Sequence, residues 1–319
     1  MRPILSVRKT NSEGSFRLMP RPIQARIDLA ALRHNYLIAK KMVSSQSRHA
    51  KAWAVVKADA YGHGLMRTAR ALDDVADGFA LLDIEAAVAL RDEGFRQPIL
   101  LLEGFFEPDD LAVCAEYGLI PSIHRIEQLQ MIRRAGLPVR LPIYLKLNTG
   151  MNRLGFTPDQ LPAVKHELSV SPAIGSVTLM MHFAEADGGR GIEWQLERFE
   201  AMREGWPPAT AISMANSAAI LRYPQTAHDW VRPGIMLYGA SPFADADATS
   251  FDLKPVMTLY SRILAVQEIV AGERVGYGGT FVADRSTRVG IVACGYADGY
   301  PRHAPSGTPI LVAGQRTET

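Results

Sequence analysis

The sequence predicts a (β/α)8 barrel of the TIM type followed by an incomplete, mostly β C-terminal domain, and three observations carry that expectation. About eight short apolar segments, each followed by a helix-like stretch, fit before residue 245, the pattern of parallel βα units. No glycine fingerprint of the dinucleotide-binding or P-loop kind follows the first strand, which disfavours an open doubly wound sheet. Lys57, Lys146, His182, Asn216 and Ser217 all fall at the carboxyl ends of predicted strands, the face on which barrel enzymes assemble their sites.

Taken in order, residues 1–18 carry Ser, Asn, Gly and Arg with no apolar core long enough for a signal peptide, so a flexible tail is expected, with Met19 as an alternative start. The barrel is expected over 19–245. It opens with a short strand at 27–29 and a helix in which Leu32, Tyr36 and the 39–43 segment recur at helical spacing. The β-forming run 50–56, a glycine-rich turn at 61–64 and a helix at 65–72 follow. The cycle then repeats, with strands at 79–82, 99–102, 120–122, 141–147, 174–183, 211–214 and 235–238. Helices are expected at 84–93, 107–117, 126–135, 157–168 and 192–202. Small and acidic residues at 243–250 read as a linker. Strands at 256–266, 275–278, 289–294 and 309–312, separated by glycine turns, then begin a β domain over 246–319 whose last residues, AGQRTET, offer no closing element.

Composition narrows the function classes. The 319 residues include 35 Lys plus Arg against 33 Asp plus Glu, a net charge of +2, which argues against a protein that neutralises many phosphates of a nucleic acid. Hydrophobic residues at 47% and charged residues at 21% describe an ordinary globular chain. No run of about 18 apolar residues is present, which excludes a helical membrane span. Cys114 and Cys294 make neither a disulfide framework nor a zinc cluster, so no metal is expected and a reducing, cytoplasmic setting fits.

Lys57 closes a buried apolar strand, where an amine is costly unless it is paired, neutralised or used covalently. Pairing with Asp59 or another barrel carboxylate is one reading, and imine formation with an aldehyde cofactor is the other. Arg232 before Pro-Gly reads as a salt-bridge or surface residue when taken alone, Asn216 and Ser217 as a helix cap, and His182 as a structural strand-end histidine.

The segment VVKADAYGHG at 55–64 nevertheless resembles the cofactor-lysine motif of alanine racemases, pyridoxal-phosphate enzymes of fold type III. LKLNTGMNRLG at 145–155, MHF at 181–183, ANSA at 215–218, VRPGIMLYG at 231–239, GYG at 276–278 and GYADGY at 295–300 follow in the family's order. The resemblance runs from about Arg21 onward and implies interconversion of L- and D-alanine in a homodimer with composite sites, with alanine as substrate and pyridoxal phosphate as cofactor. It further implies that Lys57 holds the cofactor and acts as one base, and that Tyr277, assisted by His182, is the other. Arg232 then faces the pyridine nitrogen, and Tyr61, Asn216, Ser217 and the main chain of Gly234 and Ile235 hold the phosphate end. Tyr238 either joins them or packs beneath. Arg153 touches the substrate carboxylate, Lys146 matches a lysine carbamylated in the family or else pairs with a carboxylate, and Tyr296, Asp298 and Tyr300 narrow the entrance. The family's Met-Asp pair and a later tyrosine are absent, so the resemblance predicts a chain lacking the C-terminal end. A catalytically impaired remnant that still binds cofactor, a broad-spectrum racemase and a decarboxylase of the same design stand as the competing expectations.

Overall fold

The structure is a computed structural model that describes residues 21–44 and 49–319. The expected tail at 1–18 lies outside the described residues. Two compact units are present, one over Ile27–Met257 and the other comprising, among described residues, 21–26 and Thr258–Thr319.

The first unit is the barrel. β1 (Gln24–Ile27) precedes it, all but its last residue belonging to the second unit; α1 (Leu29–Ser44) is followed by β2 (Lys51–Val55), then a short left-handed turn, α2 (Lys57–Gly62), and α3 (Leu65–Leu72). There follow β3 (Gly78–Leu81), α4 (Ile84–Asp92), β4 (Ile99–Leu101), α5 (Asp110–Glu116), β5 (Leu119–Ile123), α6 (Ile126–Arg134) and β6 (Leu141–Lys146). The unit continues with α7 (Leu161–Val170), β7 (Ile174–Met180), α8 (Glu193–Arg203), β8 (Ala211–Ser213), α9 (Ser217–Arg222) and β9 (Trp230–Val231). The eight strands lie in the order β8-β7-β6-β5-β4-β3-β2-β9, with parallel registers such as Trp53 opposite Gly78 and Leu145 opposite Leu179. Arg232 N–H donates to Ala215 O at 2.8 Å, and a parallel bridge joins Asn216 to Arg232. These contacts close β9 against the segment after β8, so the sheet has no free edge.

Burial explains why these segments become these elements. GFAL in β3 and ILL in β4 are buried along their whole length, as strands covered on both faces must be. Helix α3 buries Leu65, Thr68, Ala69 and Leu72, one stripe at helical spacing. In α1 the buried Asn35 donates to Leu237 O and Lys254 O and accepts from Lys254 N, at 2.8–3.0 Å. That side chain ties the segment after β9 to the barrel.

The expected first strand at 27–29 is instead the end of β1, which pairs with β10 (Met257–Tyr260) outside the barrel. The expected strand at 235–238 is a 3-10 turn, Ile235–Tyr238, and the eighth barrel strand is the two-residue β9. An apolar run alone does not distinguish a short strand from a buried turn.

The second unit contains β11 (Ile263–Ile269), β12 (Arg274–Val275), β13 (Phe281–Val282), β14 (Thr287–Val292), β15 (Pro309–Val312) and β16 (Gln315–Glu318), paired antiparallel as β11-β14, β12-β13 and β15-β16. The tail that reads as lacking a closing element is a hairpin strand. Ala313 and Gly314 both have positive φ, 49° and 80°, the geometry of a two-residue hairpin turn. QRTE is polar because all four residues are exposed. The expectation of an incomplete β domain rested on the short stretch after the linker and on last residues that read as offering no closing element, and the structure corrects it by pairing those residues in the β15–β16 hairpin.

Candidate active site

The cavity begins where β2 ends. Ala58, Asp59, Ala60 and Tyr61 take φ of 52–55° and ψ of 36–54°, a left-handed turn built without glycine, at roughly 1–2 kcal/mol of strain per residue. Its surroundings hold it: Asp59 Oδ1 accepts from Leu65 N at 2.6 Å, Gly64 N donates to Asp59 O at 2.9 Å, and His63 Nδ1 lies 3.0 and 2.9 Å from Ala60 O and Tyr61 O. Asp59 therefore caps α3. None of the ion pairs among the described residues includes Lys57, so the structure does not bear out its pairing with Asp59.

Lys57 opens into a cavity of about 300 Å³ whose walls also include Tyr61, Lys146, Arg153, His182, Asn216, Ser217, Arg232, Gly234 and Ile235. All the site residues that the sequence places on the barrel, except Tyr238, meet there. Tyr238 stacks on Tyr61 with centroids 4.6 Å apart and donates to Val55 O at 2.9 Å, so it backs the wall. Burial pushes the pKa of both phenols up.

Arg232 is buried and its donors are almost fully engaged. Nη1 donates to Ser213 O at 2.8 Å and Ser213 Oγ at 2.5 Å, and Nη2 to Met181 O at 2.5 Å and Met214 O at 3.1 Å. These bonds use the four Nη hydrogens and leave Nε–H as the remaining donor. Burial lowers the guanidinium pKa to about 10, which still leaves it charged at neutral pH. Arg232 Nη2 also lies 3.5 Å from His182 Nδ1. Burial, then the charges of Arg232, Lys146, Arg153 and Lys57, hold His182 well below the usual imidazole range. Asn216 Nδ2 is 3.5 Å from His182 Nε2. Asn216 cannot turn to accept, since its Oδ1 takes Ala219 N at 3.0 Å and its Nδ2 gives to Phe183 O at 3.3 Å.

At the far end, Ser217 Oγ accepts from Gly234 N at 2.9 Å and Met236 N at 3.4 Å. A Cβ on Gly234 would lie 2.8 Å from the Tyr61 hydroxyl. Hydroxyls and main-chain N–H groups thus converge in a cradle suited to an anion.

Arg153 sits on a loop organised by Asn148, whose Oδ1 accepts from Gly150 N at 3.1 Å and Asn152 N at 3.0 Å. Lys146 ends β6 buried, and burial, then the charges of Arg232 and Arg153, bring its amine pKa down to about 8. Leu102, Glu103 and Asp187 also line the cavity and were not singled out from the sequence as site residues. Glu103 follows the expected strand at 99–102, so the rule that selected Lys57 and Lys146 also reaches it.

The remaining site residues lie on the second unit. Tyr277 is 87% exposed and Tyr296 is 65% exposed. Asp298 takes Arg21 Nη1 on both carboxylate oxygens, at 2.5 and 2.6 Å, and caps its own turn by accepting from Gly295 N at 2.9 Å. Tyr300 lines a second cavity, of about 290 Å³, with Tyr296, Arg302 and Thr319. Among the described residues no cluster of three or more His, Cys, Asp or Glu could hold a metal, and no helix is long and apolar enough to cross a membrane.

A lysine at a strand end of a closed parallel barrel, faced by a buried arginine and an anion cradle and followed by a β unit, defines the fold-type III pyridoxal-phosphate design. Comparison makes the assignment specific. Models for the alanine racemase N-terminal and C-terminal domains match residues 27–242 and 256–319, and the chain belongs to the alanine racemase family. It is 54% identical over 308 residues to an alanine racemase of Nitrosomonas europaea and 52% identical over 305 residues to one of Nitrosomonas eutropha, in each case across 94% of this chain and 82% of the relative. The biosynthetic alanine racemase of Pseudomonas aeruginosa superposes with a TM-score of 0.88 at 44% identity, covering 94% of this chain and 82% of that one. The match of the C-terminal-domain model over 256–319 corrects the expectation of a chain lacking that domain.

Proposed function

We propose that this chain interconverts L- and D-alanine by two-base proton transfer with pyridoxal phosphate, as a homodimer whose sites each take Tyr277 from the second copy. The observation that carries the reading is the meeting of Lys57, Arg232 and the Ser217–Gly234 cradle in one cavity. The residues fit the group. A Cβ-free cradle lies at one end, an amine without a carboxylate partner opens into the same space, and a buried guanidinium keeps one N–H unengaged.

Pyridoxal phosphate, when bound, supplies the electron sink that acidifies the α-proton of alanine. Lys57 anchors it through the amine and moves a proton on one face of the α-carbon. The Tyr277 hydroxyl of the second copy moves a proton on the other, because inversion needs removal and return on opposite faces. Arg232, donor-only, gives a hydrogen bond toward the ring nitrogen without surrendering its proton. His182, held neutral by burial and the surrounding cations, assists the tyrosine base. Arg153 offers a planar fork to the substrate carboxylate. Tyr61, Asn216, Ser217, Gly234 and Ile235 hold the phosphate, Tyr238 supports Tyr61, and Tyr296, Asp298 and Tyr300 border the entrance. Exposed apolar residues on the β unit, among them Leu259, Leu264, Val266 and Leu311, favour burial against a second copy.

Lys146 is assigned as a carbamylated lysine. Its amine attacks carbon dioxide, the new N–C bond forms, one proton leaves to solvent, and the resulting carbamate orients Arg153. Peptide masses measured near neutral pH that show only unmodified Lys146 would remove that assignment.

The test of the main reading is a coupled assay for D-alanine made from L-alanine by the purified chain with pyridoxal phosphate, with its visible absorption recorded alongside Lys57→Ala. Turnover and absorption lost together in Lys57→Ala support the reading. Absorption without turnover in the unsubstituted chain overturns it.

A further inference from the structure

We infer that Gln195 is a positioning residue that holds the Arg153 loop and the His182 strand end in one register. The inference rests on the proposed roles of Arg153 in substrate contact and His182 in support of the tyrosine base. Gln195 lies in the first turn of α8 and is completely buried. Its Nε2 donates to Thr149 Oγ1 and to His182 O, both at 3.1 Å, and its Oε1 accepts from Ala184 N at 2.7 Å. The amide cannot turn over, because His182 O only accepts and Ala184 N only donates. One side chain therefore joins a buried threonine four residues before Arg153 to the main chain on either side of Phe183.

The neighbouring residue keys the same helix into the same loop. Trp194 covers Gly150 so closely that a Cβ there would meet the ring at 2.3 Å. The guanidinium carbons of Arg190 and Arg198 lie 4.0 and 5.1 Å from the ring centroid, so two cations contact the indole. The cavity wall at Arg153 thus depends on α8, and the Gln195 amide extends that dependence to His182. A displacement of about 1 Å at either group degrades proton transfer far more than it degrades the fold.

The two arms can be separated. Thr149→Val removes the acceptor on the Arg153 side, and Thr149→Ser retains it. Gln195→Glu keeps the bond from Ala184 N but sets a carboxylate oxygen against His182 O, and Gln195→Ala removes all three bonds. With the cofactor-loaded enzyme, Thr149→Val is expected to raise KM for alanine roughly tenfold with kcat nearly unchanged, and Thr149→Ser to restore it. Gln195→Glu is expected to lower kcat roughly tenfold and to shift the pH profile of kcat/KM, with cofactor absorption unchanged. Amide hydrogen exchange in Gln195→Ala should rise at 149–153 and 182–184 and stay unchanged in the other barrel strands. Unchanged exchange in both segments overturns the inference, as does activity that falls only in proportion to bound cofactor. If the unsubstituted chain does not racemise alanine while both segments loosen in Gln195→Ala, the positioning role stands and the functional reading fails.

Discussion

Arg232 Nη2 lies 3.5 Å from His182 Nδ1 while the same nitrogen donates to Met181 O at 2.5 Å and Met214 O at 3.1 Å. The guanidinium is thus both a charge that adds to burial in keeping the imidazole neutral and a clamp on the ends of β7 and β8. Lysine at 232 is a compact cation with three donors and cannot span the carbonyls of Met181, Ser213 and Met214 together. Arg232→Lys is expected to cost at least about 2 kcal/mol of stability through buried acceptors left unpaired. Urea denaturation of the two proteins checks this, and equal midpoints would show the clamp to be dispensable.

Gly234 is required by space. An added Cβ would lie 2.8 Å from the Tyr61 hydroxyl. Gly234→Ala is expected to weaken cofactor binding at least tenfold. Gly234→Ala with Tyr61→Phe is expected to fold more stably than Gly234→Ala alone, because the clash is with the oxygen. Equilibrium titration followed by cofactor fluorescence measures the first effect and thermal melting the second.

Much of this site was legible in the sequence because a parallel barrel places strand carboxyl ends on one face. Lys57, Lys146, His182, Asn216 and Ser217 needed only the strand positions, and the structure gathers them around one cavity. What escaped was set by backbone. The apolar run at Ile235–Tyr238 turns instead of extending, and the left-handed conformation after Lys57 leaves no trace in ADAY because none of those residues is glycine. Supporting side chains escaped too, since the buried state of Gln195 depends on residues 46 and 13 positions away, Thr149 and His182.

The left-handed turn offers a direct measure of strain. Ala58 is exposed with φ 53°, so glycine there removes the steric penalty of about 1–2 kcal/mol while adding about 0.5–1 kcal/mol of unfolded-chain entropy. Ala58→Gly is therefore expected to stabilise the protein by up to about 1.5 kcal/mol. Asp59→Ala, which removes the 2.6 Å acceptor of Leu65 N, is expected to destabilise it by about 1 kcal/mol. Denaturant midpoints decide both, and a destabilised Ala58→Gly would show the turn to be unstrained.

Lys146 gives the fold a pH dependence opposite to that of a paired lysine. Burial and the neighbouring cations bring its pKa down from 10.5 to about 8 in the folded chain. Below pH 8 both folded and unfolded chains carry the proton, and the unmodified buried ammonium weakens the fold by about 3 kcal/mol. Between about pH 8 and 10.5 the unfolded chain binds the proton more tightly, so this deficit shrinks as pH rises. Lys146→Met has no such group and should be the more stable protein at pH 7, with its advantage diminishing toward pH 10. The comparison must be made in carbon dioxide-free buffer, because carbamate formation consumes the neutral amine and replaces the unfavourable cation with an anion facing Arg153. Admitting bicarbonate should then raise the stability of the unsubstituted chain at pH 8 and leave Lys146→Met unaffected. A stability difference between the two proteins that does not vary between pH 7 and 10 would show that the Lys146 amine is not depressed.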